Sequence, residues 1–205
     1  MFIALIISGG CRHSEPPKAV KSYGTSFSLL KTYTTHLNKG ESLGSDAWSY
    51  VVKGLRGDSV EAGNAAMLLV LATEKRAATY DCAVGLVQDA IVSNRNSVSL
   101  LVLPLCVCLK LPVGTAMTRE VAKYRERSQA AGGFNAELKE FIEESVVSPR
   151  IETRISAAIL IGDISGVREA DVSFAERAVN LGLKHAPSGS EQRLWTLLKE
   201  RLLLF

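Results

Sequence analysis

The stretch GESLG, residues 40–44, spells G-x-S-x-G, the pattern that exposes a nucleophilic serine at a sharp strand-to-helix turn. Asp163 and His185 follow Ser42 in an order that a Ser–Asp–His triad can take. The elbow needs an apolar strand before it. The residues there, KTYTTHLNK, are polar, with Leu37 as their only aliphatic side chain. No α/β pattern elsewhere supplies a sheet or an oxyanion loop. SLLK, residues 28–31, has the S-x-x-K spacing in which a lysine assists a nucleophilic serine. No K-T-G segment follows it, and the SD at 45–46 continues with Ala47. Ser42 is therefore read as part of a helix stop, and Ser28 as one residue of a helix that buries Leu29 and Leu30. No catalytic residue is assigned; a small serine hydrolase using Ser42 or Ser28 stays as the alternative.

Other chemistry-bearing residues are scattered. RGD, residues 56–58, falls between two expected helices, where Gly57 stops one and Asp58 caps the next. His13, His36 and His185 each lack a second histidine or a carboxylate three or four residues away on a shared helix face. No metal site is expected, and without a Gly-rich phosphate loop no cofactor or small-molecule substrate is expected either. Cys82, Cys106 and Cys108 lie in the apolar runs YDCAVGLV and LPLCVCLK, where a thiol packs as a small hydrophobe. Cys106 and Cys108 are two apart, so on a helix they point to nearly opposite sides and neither chelate nor bridge comfortably. A bridge from Cys82 to one of them stays open.

Lys plus Arg number 24 against 21 Asp plus Glu, a balance of +3. That is too even for a nucleic-acid face, which needs concentrated basic charge. Two segments do concentrate charge. KYRER, 123–127, places Lys123, Arg125 and Arg127 in a basic strip, and ELKEFIEES, 137–145, places Glu140, Glu143 and Glu144 in an acidic one. Together these six residues form the expected partner-binding surface, which would steer a protein partner.

The elements that must position these residues are helical. The chain has 205 residues and only 6% aromatics, and its apolar content is carried by Ala, Val, Leu and Ile. Such side chains suit helices packed on helices. A first helix should bury Leu29, Leu30, Tyr33 and Leu37 and end at Gly40, with Ser45 or Asp46 capping the next. Further helices are expected over 46–56, 59–74, 77–92, 96–110, 116–130, 134–147, 150–163, 169–185 and 189–204. Val51, Val52 and Leu55 should pack the first of these, Leu68, Leu69 and Leu71 the second, and Val84, Leu86, Val87 and Ile91 the third. The run VSLLVLPLCVCLKLPVG, 98–114, falls short of the ~20 apolar residues a bilayer span needs and is broken by Pro104 and Lys110, so it reads as a buried helix.

Four segments share one design, an amphipathic helix, a tight polar turn and a richer apolar helix, with turns near Gly57, Ser93, Ser148 and Pro187. A more polar helix, TREVAKYRERSQAA, fills the wider gap between the second and third. SPRIETRISAAILIGDI, 148–164, resembles the turn and second helix of a HEAT-type repeat, with Ser148, Pro149, Arg154, Ala157, Ala158, Ile161 and Gly162 in the places of that pattern. Arg154 could bond carbonyls or an acid at a neighbouring turn. The first unit keeps Asp58 and Ala65–Ala66 but has Gly63 where an Arg is sought. The second puts Leu100, Leu101 and Val102 in place of the alanines, and the fourth keeps only the shape. The resemblance implies an all-α fold of HEAT-like antiparallel hairpins stacked as a short α-solenoid. A compact, irregular helical bundle is the alternative. At the C-terminus, Leu194, Leu198, Arg201 and Phe205 are expected to seal the end of the array rather than face a partner.

The N-terminus bears on location. FIALIISGG precedes Cys11, and Gly9 and Gly10 supply small residues before it. The segment resembles a bacterial lipoprotein signal, in which Cys11 would be lipidated and become the mature N-terminus. It departs from that pattern by lacking Lys or Arg before the apolar stretch and by having Ser8 where an aliphatic is usual. The expected organisation is a signal over 1–11, a flexible tether over 12–24 containing Pro16–Pro17, and a helical-repeat domain over 25–205. The expected function is a non-catalytic protein-binding or scaffolding module, held at the bacterial cell envelope by the lipid on Cys11. An untethered cytoplasmic adaptor is a further alternative.

Overall fold

A computed structural model describes residues 20–93, 101–131, 133–164, 169–187 and 189–203. Among these it holds ten α-helices and no strand. They are α1 (Val20–Asn38), α2 (Ser45–Gly54), α3 (Ser59–Glu74), α4 (Tyr80–Ser93), α5 (Val102–Cys108), α6 (Thr115–Ala131), α7 (Ala136–Val146), α8 (Ile151–Ile164), α9 (Glu169–His185) and α10 (Ser190–Leu202). Cys11, His13 and Phe205 lie outside the described residues, as does most of the segment read as a tether. α1 begins within that segment, at Val20.

Local chemistry sets the helix ends. The Asp58 side chain accepts from the amides of Val60 and Glu61, both at 3.0 Å, and so opens α3 as the sequence implies. Asn135 does the same for α7 through the Leu138 amide at 2.8 Å. α2 is different: its N-cap is Gly44, without a side-chain bond, and Ser45 is already helical. α1 closes through Gly40 at φ 80°, where the Glu41 amide reaches the His36 carbonyl at 3.1 Å. Of the expected 96–110, residues 96–100 lie outside the described residues; α5 runs Val102–Cys108 and ends before Lys110, and Pro104 sits in its first turn, where a missing amide costs nothing.

Most of the packing of the first five helices recurs in the last five; α7 also packs on α9, a contact that α2 and α4 do not match. α3 touches α1, α2, α4 and α5, and α4 touches α5; likewise α8 touches α6, α7, α9 and α10, and α9 touches α10. The two sets meet where α5 packs on α8 and α4 on α10. α3 and α8 are therefore enclosed. Ala65, Ala66, Leu68 and Leu69 are fully buried in α3, as are Ala157, Ala158, Leu160 and Ile161 in α8. A Cβ on Gly162 would lie 2.5 Å from Val102 Cγ2, so this glycine permits the close approach of α8 to α5.

Several core expectations need correction. Leu29 and Val52 are exposed, at 37% and 38%, while their neighbours Leu30 and Val51 are buried. A step of one residue turns a helix by about 100°, so only one member of each pair faces inward. Leu71 and Leu86 are half-buried. Cys82 is exposed and free near the start of α4, not in the core, because Ala83 and Val84 take the inward positions there. Cys106 and Cys108 are buried and form no disulfide among the described residues. No helix among the described residues is long and apolar enough to cross a membrane.

Candidate functional site

The six residues of the expected partner surface lie on two helices that come side by side, α6 and α7. Both bury one face against the rest of the molecule, α6 through Met117, Val121 and Ser128, α7 through Leu138, Ile142 and Val146. Their flanks meet at a seam. Tyr124 stacks on Phe141 with centroids 4.3 Å apart and planes at 26°. Next to this ring pair, Arg127 donates to the Glu137 carboxylate. Burial raises the Tyr124 pKa above its ordinary value, and the carboxylates of Glu137, Glu120 and Glu144 add to the rise against Arg127.

The structure unites the two strips but changes their balance. Arg127 is engaged by Glu137. Lys123 lies over the Tyr124 ring at 5.8 Å, and Arg125 is half-buried. Lys139 of α7 turns away to Asp171 of α9 at 3.4 Å. Glu140, Glu143 and Glu144 are exposed and have no ion pair among the described residues. The basic and acidic strips meet at one seam, where Arg127 is paired with Glu137 at the surface while Lys123 stays exposed.

A second feature escaped sequence reasoning. An open cleft of about 760 Å³ lies between α4 and α10, lined by Arg56, Gln88, Asp89, Arg193 and Glu200 among others. Arg193 donates to Gln88 at 3.0 Å, and Arg201 donates to the Ile91 carbonyl at 2.8 Å. These partners are 105 and 110 residues apart, and no local pattern announces such pairs. The arginine of RGD thus lines a cleft while its aspartate caps α3.

Ser42 is exposed in the connection between α1 and α2, preceded by a helix and not a strand. Ser28 is exposed within α1, and its carbonyl accepts from the Thr32 hydroxyl at 3.0 Å. His185 is exposed at the end of α9, and the Asp163 side chain lies outside the described residues. His36 Nδ1 pairs with Glu41, which holds the Glu41 carboxyl below its ordinary pKa.

Arg154 shows most clearly how the helices are fastened. Its guanidinium meets both Glu191 oxygens, from Nε and Nη2, at 2.7 Å each, and its Nη1 donates to the Ser148 carbonyl at 2.6 Å. The Trp195 indole donates to the same carboxylate at 3.3 Å. Arg154 and Glu191 are only 7% and 2% exposed. This is the carbonyl and acid at a neighbouring turn that the sequence implied. It ties the α7–α8 hairpin to the α9–α10 hairpin 37 residues on. Leu194, Leu198 and Arg201 are buried, so the last helix closes the molecule with that face. No family model, curated protein or solved structure matches the chain.

Proposed function

We propose that this chain is a non-catalytic protein-binding or scaffolding module, tethered to a bacterial membrane by a lipid on Cys11 and presenting the α6–α7 seam to a protein partner. The observation that carries the reading is the seam itself. Two helices anchored by buried faces bring a half-buried aromatic pair to the surface, bordered by charge. That composition, an aromatic anchor inside a polar rim, is how energetically dominant positions of protein interfaces are built. Rigidity behind the seam supports it, because α6 and α7 both rest on α8, which the buried Arg154–Glu191 pair fastens to α10. The HEAT-like reading of the hairpins rests on residues 148–164 and on this link from one hairpin to the next. The contact of α10 with α4 departs from an open array, in which each hairpin touches only its neighbours. The tether reading rests on the small-residue–Cys pattern at 9–11 and the polar, Pro-containing segment after it.

The test is affinity purification of the full chain from a native membrane fraction, with the Tyr124→Ala/Phe141→Ala variant as the control. A protein that co-purifies with the native chain and is lost with the variant is the expected result. Recovery of no protein, or of the same proteins with both chains, overturns the reading.

A further inference from the structure

The two sets of five helices agree in detail beyond their packing. Tyr33 of α1 meets Tyr50 of α2 with centroids 5.5 Å apart; 91 residues on, Tyr124 of α6 meets Phe141 of α7. At the same spacing, Leu30 and Val121 are buried, as are Leu37 and Ser128, Leu43 and Phe134, Ala47 and Leu138, and Val51 and Ile142. The N-caps Gly44 and Asn135 also match. One residue more aligns Ala65–Ala66 of α3 with Ala157–Ala158 of α8, and another aligns Leu101, Leu105 and Leu109 with Leu194, Leu198 and Leu202, all buried. The polar helix α6, which looked additional in the sequence, has its counterpart in α1.

This correspondence separates what both halves share from what one half alone carries. The ring pair and the buried positions are common to both halves. The charges of the second seam are not: Glu120, Glu140, Glu143 and Glu144 correspond to Leu29, Ser49, Val52 and Lys53, and Lys123, Arg125 and Arg127 to Thr32, Thr34 and His36. Since α1 and α2 pair without them, these carboxylates are not required to build the seam. With Arg127 held by Glu137 and Lys139 by Asp171, the exposed carboxylates of Glu120, Glu126, Glu140, Glu143 and Glu144 outnumber the other cations of α6 and α7, Arg119, Lys123 and Arg125, although the chain as a whole carries +3. A partner that meets it must bring the opposite charge. An arginine can also stack on the Tyr124–Phe141 pair while its guanidinium reaches the flanking carboxylates.

We infer that the chain is two copies of one five-helix unit, and that the seam of the second copy docks an arginine-rich segment of a partner protein. The inference rests on the protein-binding reading above and names the chemistry of the partner. Salt weakens such docking, because screening shortens the reach of exposed charges.

The experiment titrates octa-arginine amide into the full chain and follows backbone amide shifts by NMR. The variants are Glu140→Ser/Glu144→Lys, which installs the residues of the first copy, and the milder Glu140→Gln/Glu144→Gln. Expected are shifts centred on Tyr124, Phe141 and Glu144, about tenfold weaker affinity in both variants, and an unchanged melting temperature. Equal affinity in the variants, shifts centred on the α4–α10 cleft, or no binding by the native chain each overturns the docking assignment. Unfolding of Glu140→Ser/Glu144→Lys while the glutamine variant stays folded overturns the equivalence of the two copies. The glutamine variant is also carried through the membrane-fraction purification. A partner retained by it leaves the protein-binding reading standing and removes the arginine-rich partner; no partner with the native chain removes the reading itself.

Discussion

Replacing Arg154 by methionine should be the most damaging single change in this protein away from its apolar core. The guanidinium makes three hydrogen bonds at 2.6–2.7 Å, two of them to Glu191. Its loss leaves the 2% exposed Glu191 carboxylate with only the Trp195 indole as a remaining side-chain donor among the described residues, and deprives the Ser148 carbonyl of the Nη1 donor. Breaking a buried pair from one side typically costs about 3–5 kcal/mol, because an uncompensated charge stays buried. At roughly 2–4 °C per kcal/mol for a chain of this size, the melting temperature should fall by about 6–20 °C. The assay is urea denaturation with far-UV circular dichroism, where the midpoint should fall and the slope stay constant. The double substitution Arg154→Met/Glu191→Leu should recover most of the loss, since apolar side chains of similar size often replace a buried pair without net cost. A loss below about 1 kcal/mol for Arg154→Met, the range of exposed pairs, would refute the reasoning. So would a double variant as unstable as the sum of the two single ones.

Other outcomes follow from single residues. Gly182→Ala places a Cβ 2.7 Å from the Trp195 ring, so it should cost about 1–3 kcal/mol by overpacking; calorimetry showing no change would contradict the α9–α10 packing. In a Cys11→Ser chain, Cys82 should react rapidly with a thiol reagent at pH 8, whereas burial pushes the Cys108 thiol up to about 11. Raising the pH through that value should speed Cys108, while fast reaction of every cysteine at pH 8 would contradict its burial. Ser42→Ala and Ser28→Ala should leave partner binding and every measured activity unchanged; loss of a hydrolytic activity in either would favour the serine-hydrolase alternative.

The all-α class was legible because period-3.6 apolar stripes and capping residues are local signals. α3, for example, spans the expected 59–74, with Asp58 in its expected role. The exposures of Leu29 and Val52 were not legible, because adjacent apolar residues differ by one step around the helix and only the neighbour decides which turns inward. The cap at Gly44 was missed since Ser45 and Asp46 are stronger cap formers by composition. Arg154 was legible as a residue that reaches an acid, yet Glu191 as that acid needed the fold. For the partner surface, the charges were visible and their bookkeeping was not: only the structure shows Arg127 spent on Glu137. The correspondence between halves escaped as well, because the alignment rests on burial and on aromatic pairs more than on identity. Ala65–Ala66 against Ala157–Ala158 is its clearest trace in the sequence.

The most direct test is native mass spectrometry of the chain extracted from its own membrane, which reads the N-terminus and the bound protein together. The predicted spectrum shows a chain that begins at a lipid-modified Cys11 and is in complex with a second protein. An unlipidated chain that begins at Met1 and flies alone would contradict the account.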